Sequence, residues 1–150
     1  MGLYNELDTY VIARVAELNA TLSGTVDDLV KIDADLDPDM LPENQKHNRY
    51  MLKIDKYEDR QTEAPSFDID LTIELKFLLP NNDTSKYLAV IDNYIHVLVM
   101  KIYRTNKYSV SGFSFECTKV GASDLNNFGV GEFQSEYSPK INLTGLMVIT

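Results

Sequence analysis

Glu74-Leu75-Lys76 has a spacing that could assemble a reaction. An acid, one intervening residue and a lysine put both charged side chains on the same face of an extended strand. An aspartate from upstream, Asp55 or Asp59, could then complete a site that holds magnesium and activates water. Against this reading, a three-residue motif in a strand this rich in charge arises often by chance, and no basic surface for a nucleic acid is evident. Hydrolysis therefore ranks behind binding or assembly.

The other reactive residue types point the same way. Asp33-Ala-Asp-Leu-Asp-Pro-Asp39 sets carboxylates at alternate positions, as a calcium loop does, but the positions that need a glycine and a bidentate acid hold Pro38 and Asn44. A solvated acidic loop is the better reading, and no metal site is expected. His47 and His96 stand alone, no serine sits in a nucleophile motif, and Cys117 has no evident sequence partner. Gly129-Val-Gly131 lacks the third glycine and the parallel-sheet context of a phosphate-cradling loop. Asn19, Asn82 and Asn142 begin glycosylation-type triplets that read as chance matches. Neither a catalytic residue nor a cofactor is expected, and the chain is read as a non-enzyme.

The elements that would position these residues are clearer than the residues themselves. From Phe67 to Phe77, Phe67, Ile69, Leu71, Ile73, Leu75 and Phe77 alternate with Asp68, Asp70, Thr72, Glu74 and Lys76. A period of two over that length predicts a strand over 67–78 with one face in a core and one acidic face in water. Leu88, Ile91, Ile95, Leu98 and Ile102 then recur at helical spacing, predicting a helix from about Thr84 to Arg104 that lies on the strand's apolar face. Asp83 or Thr84 can cap it. Tyr4, Leu7, Val11, Val15, Leu18 and Leu22 predict an N-terminal helix ending before Ser23 and Gly24.

Alternation around Tyr50, Leu52 and Ile54 predicts a strand over 49–57, paired as a hairpin with 67–78 through a long connection. A strand around Tyr108 to Cys117 slips phase near Gly112, where a bulge is expected, and Ile141 to Ile149 forms the last strand. The stretch 25–48 reads either as a short strand or turn and then a loop. The class is α+β, with a mixed, mainly antiparallel sheet covered on one face by two helices in the order α-β-β-α-β-β. Two irregular stretches, about 24–48 and 121–140, are longer than connections in a compact domain usually are. The second holds Phe128, Phe133 and Tyr137, aromatic residues expected to pack on a neighbouring chain.

Composition sets the outer limits. The length suits one domain over 1–150, and the 44% hydrophobic and 25% charged content is ordinary for a globular chain. A net charge of -9 disfavours general nucleic-acid affinity. No apolar run approaches the ~20 residues needed to cross a bilayer, so no membrane partner is expected. A single cysteine fits a reducing compartment.

Taken together, the amphipathic first helix, the hairpin, the helix containing Tyr94-Ile-His-Val-Leu98, the run Gly131-Glu-Phe-Gln-Ser-Glu136 and the ending Leu143-Thr-Gly-Leu146 resemble the tail terminator, or tail-completion, proteins of long-tailed bacteriophages. The resemblance spans nearly the whole chain and rests on pattern, because the family has no catalytic signature to match. It implies a virion protein of the tail, assembled in the host cytoplasm, that forms a homohexameric ring on the tail tube. Such a ring stops tube polymerisation and presents a surface to the head-tail connector protein. DNA would pass through the ring without specific binding, and Asp68, Asp70 and Glu74 are the acids expected to face that channel. The Asp-rich stretch 27–39 has no counterpart in the resemblance. A head-completion or neck protein of the same particle, or a restriction-type magnesium-dependent nuclease built on Glu74 and Lys76, are the alternative readings.

Overall fold

The computed structural model describes residues 3–21, 29–31, 48–61, 63, 65–80, 84–105, 107–110, 112–130 and 134–149. In chain order the elements are α1 (Leu3–Thr21), β1 (Val30–Lys31), β2 (Arg49–Asp59), β3 (Ser66–Pro80), α2 (Thr84–Arg104), β4 (Lys107–Val110), β5 (Phe113–Ser123), β6 (Phe128–Val130), β7 (Gln134–Tyr137) and β8 (Lys140–Ile149). The fold is mixed α+β, with two helices and a curled, mainly antiparallel sheet. Its strands run β1-β2-β3-β8-β5-β4, and β7 joins β3 with β6 paired to β7. Only β1 against β2 is parallel among the described strands.

β3 organises this sheet because its alternation continues without a slip. Ile69, Leu71, Ile73, Leu75 and Phe77 are all buried, while Asp68, Asp70, Thr72, Glu74 and Lys76 between them are half-exposed. On one side β3 pairs with β2, and on the other with β8 over Ser66 to Glu74 and then with β7 over Phe77 to Pro80. Its apolar residues share one core cluster with Leu7, Val11, Val15 and Leu18 of α1 and with Ile91, Tyr94, Ile95, Leu98 and Ile102 of α2. From Leu7 to Leu18 and from Ile91 to Ile102 the helical spacing is thus matched by burial. His96 points to solvent. No helix among the described residues is long and apolar enough to cross a membrane.

Asn19 joins the first helix to the sheet edge. Its amide nitrogen donates to the Leu29 carbonyl and its oxygen accepts from the Leu29 N–H, both at 3.1 Å. The same oxygen accepts from the Tyr94 hydroxyl at 3.1 Å. One side chain so completes the backbone bonds of a residue beside β1, which pairs with β2 over only Val30 and Lys31.

Several expectations are corrected. The expected order α-β-β-α-β-β lacks β1, the division of the third strand region into β4 and β5, and the pair β6 and β7. Gly112 is not a bulge: it sits at φ 82° in the tight turn between β4 and β5, where a glycine takes a left-handed conformation without steric cost. The bulges lie instead between Ile54 and Lys56 on β2 and between Cys117 and Lys119 on β5, where they sharpen the twist of the sheet. The stretch 121–140 is not one long loop. β5 runs on to Ser123, and β6 and β7 fold back so that Tyr137 pairs with Phe77 and Phe128 with Tyr137. Strands this short carry no readable period; β7 forms because the end of β3 offers a ladder to pair with, and β6 forms against β7. Of 25–48, the described part contains β1 and Asn48, the rest lying outside the described residues.

Candidate functional site

The face of the sheet opposite the core carries a continuous polar network, built from the outward positions of β2, β3, β8 and β5. Thr72 donates to the Asp55 carboxylate and lies 3.4 Å from the Asn142 amide oxygen, whose nitrogen donates to the Ser123 hydroxyl at 2.8 Å. Thr144 donates to Asp70 at 2.9 Å, and Thr118 to the Thr144 carbonyl at 3.1 Å. Toward the hairpin tip, Arg60 pairs with Asp68 at 3.0 Å. Toward the other end, Lys53 pairs with Glu74 at 3.1 Å, Lys140 reaches Glu74 at 3.9 Å and Asp124 at 3.3 Å, and Lys76 pairs with Glu136 at 3.3 Å. Cross-strand pairs of this exposure are worth about 0.2–1 kcal/mol each, so the network adds little stability.

Asp68, Asp70 and Glu74 therefore share one half-exposed face, each with a protein partner. The components of the hydrolytic reading are also placed. Glu74 and Lys76 share that face, but Glu74 is held between two lysines, Asp55 accepts from Thr72, and Asp59 turns away to accept from the Gln61 N–H at 2.7 Å. Among the described residues no group of three His, Cys, Asp or Glu side chains could hold a metal ion together. The acidic run Asp33 to Asp39, His47, Gly131 and Phe133 lie outside the described residues.

The aromatic trio is divided. The ring of Tyr137 is 1% exposed, stacked 6.4 Å from Phe77 inside the core of its own chain, and its hydroxyl donates to the Leu125 carbonyl at 2.8 Å. Burial raises its pKa, with the Asp92 carboxylate adding to the effect. Phe128 is half-buried beside it at 6.5 Å. Tyr137 therefore cannot present its ring to a neighbouring chain, because β7 pairing with β3 turns it inward. Cys117, too, is buried, with its thiol pKa raised by burial, so it is not an activated nucleophile.

Where β7 gives way to β8, the ladder along β3 breaks. Pro139 has no N–H to donate, although its carbonyl still accepts from the Leu75 N–H at 3.0 Å. Beside this break lies a recess of about 250 Å³ lined by Arg49, Met51, Glu74, Lys76, Asn127, Ser138, Pro139 and Lys140, together with Tyr50 and Leu75. Arg49 and Met51 occupy outward positions of β2 and yet are buried, Arg49 at 4% exposure. Sequence reasoning missed this recess because an arginine at a polar position of an alternating strand reads as solvated. The available signal was Pro139, a residue that interrupts a sheet ladder wherever it falls inside one.

Compared with known proteins, the chain matches no family model, and no curated protein is similar enough to count as a relative.

Proposed function

We propose that this chain is a structural phage protein of the tail-terminator type, which acts as a ring that caps the tail tube, stops its polymerisation and joins the tail to the head connector. The observation that carries this reading is a pair of strand edges, on opposite flanks of the curled sheet, that no described strand covers beyond a few residues. Among the described residues, β1 covers β2 at Arg49 and Tyr50, and β4 covers β5 from Phe113 to Glu116. Among the described strands, none pairs with the outer edge of β2 beyond Tyr50 or of β5 beyond Glu116. Unpaired edges are templates for another strand, and two unlike edges on one subunit suit a head-to-tail contact that closes into a ring.

In this reading both helices lie over the apolar face of the sheet, and the polar face with Asp68, Asp70 and Glu74 turns toward the channel. Six copies at -9 each would line a passage that repels the DNA backbone and lets it slide. The contact between copies uses the strand edges rather than Tyr137. Co-sedimentation tests the assignment: the protein is expected to pellet with purified tails and not with filled heads. Pelleting with heads alone would move it to the head-completion class, and pelleting with neither would remove it from the particle.

A further inference from the structure

We infer that the recess beside Pro139 is a binding site for a small oxyanion, a phosphate or a carboxylate, held by Arg49. Four observations converge on it. Among the described residues the lining contains three cationic residues, Arg49, Lys76 and Lys140, against one acid, Glu74, in a chain that is acidic as a whole. Arg49 stands directly opposite Lys76 in the β2–β3 register, a like-charge pairing that destabilises a sheet unless something between the two compensates it. Lys76 and Lys140 each have an acidic partner outside the lining, Glu136 and Asp124 respectively. Arg49 does not: it is nine-tenths buried, and no described residue gives its side chain an ion pair or a hydrogen bond.

A charge on a side chain this little exposed and without a described partner is costly, and a guanidinium presents its donors as a planar fork that two oxygens of one anion can satisfy together. Ser138 belongs to the same lining, and a serine hydroxyl can donate to a further oxygen of such a ligand. Met51 and Pro139 supply apolar lining. At about 250 Å³ the space falls below the range usual for drug-sized ligands, which sets the ligand as a small anion. Glu74, the acid of the described lining, is itself paired with Lys53 and Lys140. The site belongs to one chain and stands whether or not copies associate.

The test is calorimetric titration of the full chain with inorganic phosphate and, separately, with succinate. Saturable binding of one of them is expected, weakening with added salt. Tighter binding of phosphate assigns a tetrahedral ligand, and tighter binding of succinate a carboxylate. Arg49→Met should weaken that binding by about tenfold or more, the loss of a charge-assisted contact. It should leave the melting temperature of the ligand-free protein unchanged or higher, because an unpaired buried charge has gone. A purely structural arginine would instead lower it. Should Arg49→Met not fold, that outcome itself counts against the proposal, and Lys76→Gln, altering a more exposed cation, gives the independent reading: several-fold weaker binding with the fold intact. Binding of neither anion, or equal binding by wild type and both variants, overturns the assignment.

Discussion

Between Phe67 and Phe77, neighbouring residues of β3 meet opposite environments. Ile69, Leu71, Ile73 and Leu75 are sealed in a cluster with both helices, whereas Asp68, Asp70, Thr72 and Glu74 hold hydrogen bonds and ion pairs at the edge of water. The first set derives its energy from removing apolar surface from solvent, about 25 cal/mol per Å², so altering it costs stability directly. The second exchanges bonds with water for bonds with neighbours at almost no net gain. Apolar burial and polar bonding are thereby placed on opposite sides of the same strand.

The largest effect should come from the sealed side. Leu71→Ala is expected to destabilise the protein by about 2–5 kcal/mol in urea unfolding. A loss under about 1 kcal/mol would mean that the face is open. Gly145→Ala should follow at about 1–3 kcal/mol, because a Cβ there would lie 2.8 Å from the Glu116 carbonyl oxygen and closer still to the Phe115 ring. The backbone oxygen has less freedom to yield than the ring. A variant as stable as the wild type would show that β5 and β8 can part without cost.

An intermediate effect appears only at alkaline pH. Burial, helped by the nearby Cys117 for Tyr10, raises the pKa of Tyr10 above its ordinary 10.0 and that of Cys117 above its ordinary 9.0. The unfolded chain therefore releases these protons first and binds fewer than the folded chain, so stability is full below about pH 9 and falls as pH rises beyond it. Melting temperatures measured from neutral to alkaline pH should show this decline, and Tyr10→Phe should make it shallower. A decline of unchanged steepness would place the tyrosine hydroxyl in water. The smallest effect belongs to the outer face: a double-mutant cycle of Lys53→Met and Glu74→Gln should give a coupling of under about 1 kcal/mol. A larger value would make that face part of the framework.

How far the molecule could be read from its residues follows the same division. The alternation at 67–77 and the helical spacing at 88–102 are local periods with long repeats, and burial matches them over 69–77 and 91–102. β6 and β7 were hidden because three or four residues cannot display a period, and what places them is the pairing of β7 with β3, more than fifty residues earlier in the chain, and of β6 with β7. Aromatic residues that seemed stranded in a loop are explained by that distant pairing, Tyr137 above all. The recess was hidden for a related reason. It needs Arg49, Lys76 and Lys140 to be brought together by the registers of three strands and by one proline, and no window of sequence contains all four. Asp68, Asp70 and Glu74, by contrast, were legible as one face from the alternation alone.

Edge-to-edge assembly is the claim on which the functional reading turns, and negative-stain microscopy of the purified protein, alone and mixed with tail tubes, tests it most directly. Closed rings, or tubes of fixed length capped at one end, are the predicted result. Single particles at every concentration, beside tubes that remain uncapped and continue to grow, would contradict it.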